Sequence, residues 1–169
     1  LDLTARNDWS STLPKSNRSY FYPSASLSVL LNDIFKISNK INLLKLRGGW
    51  AKAGNDTNPY NLVNVLQNMD PWGNVIRLGS SNSLLIPNLK PEESTSYEGG
   101  LDLATWNNRL RFAGTYYKVD NRNQIIPTQL PSSSGYTSKN INAGLLVTKG
   151  LELTLGGTPI KTSDWTWDI

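Results

Sequence analysis

Gly144-Leu145-Leu146-Val147-Thr148-Lys149-Gly150-Leu151-Glu152-Leu153-Thr154-Leu155-Gly156-Gly157 is the stretch that decides the fold. Leu145, Val147, Leu151, Leu153 and Leu155 fall on one face, and Thr148, Gly150, Glu152, Thr154 and Gly156 fall on the other. A period of two puts successive side chains on opposite sides of a strand. One face is greasy; the other carries a carboxylate, hydroxyls and glycines. Two architectures show this pattern. A soluble sandwich buries the greasy face under a second sheet. A transmembrane barrel turns it to lipid and keeps a polar lumen.

Alternation recurs outward from this stretch, and seven strands are expected. Residues 1–6 place Leu1, Leu3 and Ala5 opposite Asp2, Thr4 and Arg6. Residues 21–32 alternate Phe21, Ala25, Leu27, Val29 and Leu31 with Tyr22, Ser24, Ser26, Ser28 and Asn32. Pro23 shares the apolar face and removes a ladder donor, so it belongs near the strand's start or at an unpaired position. Residues 41–52 carry Leu44, Leu46, Gly48 and Trp50 on the apolar side, while Lys45, Arg47 and Lys52 do not all share one face. Residues 96–105 set Tyr97, Gly99, Leu101 and Leu103 against Glu98, Gly100, Asp102 and Ala104. Trp106-Asn107-Asn108 reads as a tight turn, because asparagine tolerates positive φ. Residues 109–126, 144–157 and 165–169 complete the set.

The connections alternate in length. Residues 7–20, 53–95 and 127–143 are long and polar; 33–40, 105–108 and 158–164 are short. This predicts an up-and-down meander with its long loops at one end, as in outer-membrane barrels. A connection as long as 53–95 is usually functional. Tryptophan and tyrosine lie near predicted strand ends, at Tyr20, Tyr22, Trp50, Tyr97, Trp106, Tyr116, Tyr117, Trp165 and Trp167. Interfacial girdles have that placement; ordinary strand propensity for aromatics also gives it.

Composition narrows the chemistry. No run reaches the roughly 18 apolar residues of a spanning helix, whereas barrel strands need only about 9–11. The chain has no cysteine and no histidine, which removes thiol chemistry, the commonest general base and the commonest metal ligand. Its net charge of +4 is scattered, with no basic stripe for nucleic acid. No metal cluster or phosphate-cradling glycine loop is present. Glu92-Glu93 could in principle serve glycoside hydrolysis, but nothing sets such a pair across a cleft. No catalytic residue, metal site or cofactor is expected. Both ends are alternating strand text without punctuation, so the 169 residues read as a segment of a longer chain.

Several phrases, in order, carry a resemblance. They are Asn7-Asp8-Trp9-Ser10-Ser11, Tyr20-Phe21-Tyr22-Pro23-Ser24-Ala25-Ser26, Leu44-Lys45-Leu46-Arg47-Gly48-Gly49-Trp50 and Gly54-Asn55-Asp56. Leu89-Lys90-Pro91-Glu92 and Ser96-Tyr97-Glu98-Gly99-Gly100-Leu101-Asp102 follow. Then come Asn108-Arg109-Leu110, Tyr116-Tyr117, Gly135-Tyr136, Asn142-Ala143-Gly144 and Lys149-Gly150-Leu151-Glu152-Leu153. Together they resemble the β-barrel of SusC/RagA-type TonB-dependent transporters of the Bacteroidetes outer membrane. Two positions depart from the family's habit: Leu-Leu-Val-Thr precedes Lys149, where asparagine is more frequent, and Gly99 replaces a usual apolar residue.

The resemblance implies an all-β fold, about seven strands of an antiparallel up-and-down transmembrane barrel of roughly 22. Residues 1–169 would be part of the barrel domain, without the plug domain or the final strand. It implies TonB-dependent uptake of oligosaccharides or peptides across the cell outer membrane. Implied partners are a SusD-like surface lipoprotein closing over the mouth, TonB-ExbB-ExbD acting through the plug, and outer-membrane lipid. Ligand contacts would come from the long loops, where rings stack on sugars and polar groups bond. Candidates are Trp9, Asn55, Asp56, Tyr60, Asp70, Trp72, Arg77 and Tyr136. The alternative role for each is packing the loops or touching the lid. Glu98, Asp102, Arg111 and Glu152 would face the lumen, pairing across strands or with the plug. Gly48, Gly49, Gly99, Gly100, Gly114, Gly150 and Gly156 suggest close approach of the plug or barrel curvature. The rival is a soluble carbohydrate-binding β-sandwich, which explains alternation and aromatics but not the loop pattern.

Overall fold

The computed structural model describes residues 1–35, 40–59, 61–63 and 66–169. In chain order it holds β1 (Asp2–Trp9), β2 (Ser19–Leu30), one helical turn α1 (Leu31–Ile34) and β3 (Ile41–Asn55). Three short strands follow: β4 (Gln67–Trp72), β5 (Val75–Gly79) and β6 (Ser83–Leu84). Then come β7 (Glu92–Thr105), β8 (Leu110–Gln129), a 3-10 turn at Ser132–Ser134, β9 (Ser138–Gly157), β10 (Ile160–Lys161) and β11 (Thr166–Trp167). One sheet dominates, ordered β1-β2-β3-β7-β8-β9-β6. Its six long strands are antiparallel neighbours in chain order, the predicted meander. Only β6 runs parallel, along the loop end of β9.

Register turns the alternation into two faces. Opposed residues across the ladder point the same way. One row runs Leu155, Phe112, Leu103, Leu44; the next runs Leu153, Gly114, Leu101, Leu46, Val29. These rows form the apolar face, which no second layer covers: Leu151, Leu153 and Leu155 are 64%, 62% and 71% exposed. Among the described residues the buried apolar side chains are Leu13, Leu89 and Ala104, and the first two lie in loops. A sandwich needs its second sheet over that face. Lys45 and Arg47 point to the polar face and Lys52 to the apolar one, as their spacing in β3 requires.

The turn after β7 is as expected. Trp106, Asn107 and Asn108 all have positive φ, at 52°, 55° and 64°. The Arg109 amide donates to the Trp106 carbonyl at 3.1 Å. Pro23 lies where β2 pairs only with β1, since pairing with β3 begins at Ser24 opposite Ala51.

Strand ends differ from the sequence reading. β3 runs on to Asn55, β7 starts at Glu92, β8 runs past Ile126 to Gln129, and β9 starts at Ser138. The connection read as residues 127–143 is mostly strand, with Pro127 opposite Asn140. These extensions are mostly polar, so alternation does not reveal them. The connection read as 53–95 is not structureless, for it holds the β4–β5 hairpin and β6. The expected seventh strand at 165–169 is largely a small hairpin, with Thr166–Trp167 pairing Ile160–Lys161. Only Ile169 joins the main sheet's edge, exchanging two 2.8 Å backbone bonds with Gly157.

Candidate transport face and loop rim

The polar face carries a cross-strand ion network. Arg47 lies in register with Gly100, whose missing side chain gives it room. An added Cβ on Gly100 would stand 2.8 Å from Arg47 Nε and 3.0 Å from its Cγ and Cζ. The guanidinium thus lies across β7. Its Nη1 donates to Glu98 Oε1 at 3.0 Å and its Nη2 donates to Thr115 Oγ1 at 2.6 Å. Nε stands 3.5 Å from Asp102 Oδ1, an ion pair without a hydrogen bond. Lys45 Nζ adds a second cation 3.9 Å from Asp102. Arginine therefore ties three strands, β3, β7 and β8, on the side opposite the apolar rows. Gly150 is filled similarly: Tyr117, its register partner, folds over it. At Gly100 and Gly150, then, side chains of the sheet itself occupy the space that a side chain on the glycine would take. Around Gly49 and Gly99 nothing stands within 4 Å of an added Cβ.

At the loop end, side chains clasp the connections together. Asp56 Oδ2 accepts from Ser10 Oγ at 2.5 Å and from Thr12 Oγ1 at 3.2 Å, joining the first long loop to the third strand's exit. The Tyr22 hydroxyl donates to the Gly54 carbonyl at 3.2 Å, and an added Cβ on Gly54 would strike the ring at 2.9 Å. Asn55 Nδ2 donates to Glu92 Oε2 at 3.2 Å, and Glu92 Oε1 accepts the Ile125 amide at 2.9 Å. Asn142 is the most engaged. Its Oδ1 accepts the Lys90 amide at 2.7 Å, and its Nδ2 donates to the carbonyls of Lys90 and Asn123, both at 2.8 Å. Leu89, 1% exposed, is the apolar anchor of this rim, and Asn17 Nδ2 donates to its carbonyl at 3.3 Å. Beneath it β2 and β3 part above the Ser24–Ala51 pair. The gap is a cavity of about 570 Å³ lined in part by Tyr20, Tyr22, Trp50, Lys52, Gly54 and Glu92.

The turn end has its own clasp. Arg111 Nη2 donates to Asp168 Oδ1 at 3.1 Å, and the Thr158 hydroxyl donates to the same oxygen. The Thr158 hydroxyl first, then the Arg111 guanidinium, hold the Asp168 carboxyl below the ordinary value.

Glu98, Asp102, Arg111 and Glu152 all lie on the polar face, as predicted. They do not pair with one another. Glu98 and Asp102 meet Arg47, Arg111 meets Asp168, and Glu152 stands opposite Thr115 with no ion pair among the described residues. The sequence reading missed Arg47 and Lys45 as centres of the network, although their i, i+2 spacing marks one face. The loop candidates scatter. Asp70 and Trp72 lie on β4 and Arg77 on β5, so one hairpin brings these three near each other. Trp72 is 78% exposed. Asn55 and Asp56 are rim clasps. Tyr136 follows the 3-10 turn and is half-buried. Trp9 ends β1 opposite Ser19, on the face of Leu3. Tyr60 lies outside the described residues.

One antiparallel meander, apolar on one face, ion-paired on the other and clasped at its long-loop end, defines a wall segment of a transmembrane β-barrel. Comparison with known proteins gives the family. The TonB dependent receptor-like, beta-barrel model matches residues 1–169. The chain is 31% identical to TonB-dependent receptor P3 of Formosa agariphila, over 98% of this chain and 17% of that receptor. It is 29% identical to TonB-dependent receptor SusC of Bacteroides thetaiotaomicron, over 99% of this chain and 18% of that one. Among solved structures, the RagAB peptide importer in its closed-closed state superposes with a TM-score of 0.85. Identity there is 26%, over 97% of this chain and 18% of that one. The chain belongs to the TonB-dependent receptor β-barrel family. It spans under one fifth of the length of the relatives it matches.

Proposed function

We propose that this chain forms part of the wall of an outer-membrane importer that takes up oligosaccharides or other large nutrients, peptides included, under the control of TonB. The observation that carries this is the division of one sheet into two faces. The exposed apolar rows suit lipid, and the Arg47 network suits a solvated lumen beside a plug. Barrel closure leaves every backbone group in the hydrocarbon paired. The clasped rim then lies outside the cell, where a SusD-like lipoprotein would close over it and trap the ligand. Two similar proteins are consistent with this: one is SusC, the other a structure described as a peptide importer. The β4–β5 hairpin, with Trp72 exposed beside Asp70 and Arg77, is the part of this segment best built to touch cargo. The plug and the final strand would lie elsewhere in the full receptor.

The test is the intact mass of the full-length receptor in the outer-membrane fraction of its source cell, with detergent-solubilised partners retained. A chain several times longer than this one, co-purifying with a surface lipoprotein, is the expected result. A soluble species of this chain's own mass, absent from the membrane, would overturn the reading and favour the carbohydrate-binding sandwich.

A further inference from the structure

The apolar face carries an anomaly. Lys149 sits between Val147 and Leu151 on that face, and its register partner on β8 is Lys118. Like charges directly opposite each other destabilise a ladder. Lys118 has company: its Nζ bonds Asp120 Oδ2 at 2.9 Å and lies 5.9 Å from the Tyr97 ring centroid. Lys149 has no ion pair among the described residues and its side chain is exposed. The other charged groups on the same face, one or two rows toward the loops, are Arg122, Lys52 and Glu93. Lys52 and Glu93 bond each other at 2.9 Å. Four cations thus face two carboxylates, and with Lys52 paired to Glu93 and Lys118 to Asp120 the excess positive charge lies at Lys149 and Arg122. Directly on the turn side of the lysine pair the face is apolar, with Tyr116 and Leu151, then Leu153, then Phe112 and Leu155. Asp120 is 8% exposed and pairs with Lys118, and no ion pair joins it to Lys149 among the described residues.

We infer that the Lys118–Lys149 pair binds the phosphate of an anionic lipid in the outer leaflet, whose acyl chains lie along Leu151, Leu153 and Leu155. This rests on the reading that the apolar face meets lipid. An anion between two ammonium groups turns their repulsion into two charge-assisted contacts. The apolar floor next to it suits an acyl chain and offers nothing to a soluble anion. A zwitterionic headgroup brings its own cation and gains less.

The test uses the full-length receptor in phosphatidylcholine nanodiscs doped either with lipid A bearing its phosphates or with dephosphorylated lipid A. Native mass spectrometry then reads the lipid retained by the released protein. The wild-type receptor should hold the phosphorylated lipid at least about tenfold better than the dephosphorylated form, and Lys118→Gln/Lys149→Gln should abolish that preference. Lys161→Gln, in the β10–β11 hairpin beyond the turn end of β9, should leave it intact. Equal retention of both lipids by the wild type would overturn the site, with the lysines then merely reaching past the apolar face to water. That comparison needs no variant to fold. Competition by inorganic phosphate alone, at concentrations matching the lipid, would also defeat it. Absence of the receptor from the outer membrane would defeat the membrane reading instead, so the two failures are distinguishable.

Discussion

Replacing Gly100 by alanine tests whether the inner wall is held by the sheet's own side chains. The backbone there has no positive φ, so alanine is conformationally acceptable. The conflict is spatial: the new Cβ would stand 2.8 Å from Arg47 Nε and 3.0 Å from Cγ and Cζ, atoms in the body of the side chain. Arg47 must lift away from β7. Lifting breaks the bonds to Glu98 and Thr115 and the approach to Asp102. The Glu98 pair is partly exposed, at 34% and 50%, and is discounted to about 0–1 kcal/mol. Thr115 is buried, and a buried hydroxyl left without its partner costs about 1–3 kcal/mol. Breaking these interactions therefore costs about 2 kcal/mol. Restricting the unfolded chain returns about 0.4–1 kcal/mol. Gly100→Ala should therefore destabilise by about 1–2 kcal/mol.

The decisive comparison is a double-mutant cycle with Arg47→Ala. Arg47→Ala alone removes the same interactions and should cost about 2 kcal/mol. In that background Gly100→Ala meets no guanidinium and should stabilise by about 0.4–1 kcal/mol. The coupling is then about 2 kcal/mol, well above the scatter expected of independent sites. Equilibrium urea unfolding of the full-length receptor in lipid vesicles, followed by tryptophan fluorescence, measures all four corners. Single effects that add to within about 0.5 kcal/mol in the double variant would refute the reasoning, because Arg47 would then not lie across Gly100.

Asn142→Leu keeps the side chain's size but removes three clasping bonds. It should loosen the rim by about 2 kcal/mol and speed limited proteolysis near residues 80–91 more than tenfold, with the barrel strands unaffected. Asp168 gives a pH dependence. Its carboxyl is held below the ordinary 3.8, so its contribution is full above that value and fades as pH falls through the lower folded one. The protection of the Gly157 and Ile169 amides, relative to their intrinsic exchange, should fall only in that acid range, and Asp168→Asn should abolish the pH dependence. Trp72→Ala should change stability by less than about 0.5 kcal/mol, since the ring is exposed, yet lower ligand affinity of the full receptor if the hairpin holds cargo. Unchanged uptake would remove the hairpin from the binding surface.

How much of this is legible in the sequence depends on whether a residue has one wet side and one dry side. Leu151, Leu153 and Leu155 alternate with Gly150, Glu152 and Thr154, and that alternation assigns their faces as the ladder has them. Thr128, Gln129, Ser138, Lys139 and Asn140 form strand as well, but both of their sides are polar. Period two vanishes there although the ladder does not, so the strands read shorter than they are. The acids of the polar face are visible because a carboxylate stands out on an alternating strand. Their partners are not, because pairing depends on register, and β3 and β7 are joined by the sequence's longest connection. Lys149 escapes notice for the opposite reason: five apolar neighbours on its face outweigh one cation.

The phrases behind the family resemblance have a physical content that pattern matching alone does not supply. Asn142 of Asn142-Ala143-Gly144 grips Lys90 of Leu89-Lys90-Pro91-Glu92. Glu92 takes the side-chain amide of Asn55, and Asp56 takes the hydroxyl of Ser10. Tyr22 donates to the carbonyl of Gly54, on which a side chain would not fit. Each phrase holds one half of a bond whose other half lies in a different phrase. These bonds tie the loop-side ends of the strands to one another and, through Ser10, Asp56 and Lys90, to the connections that leave them. A barrel in lipid gains its wall from closure and hydrocarbon, but its rim stands in water, where loops pack little apolar surface. Side-chain clasps are what a rim can use instead. In the proposed importer a lid closing on such a rim would meet a fixed shape, and the exposed hairpin bearing Trp72 would be left to adapt to cargo.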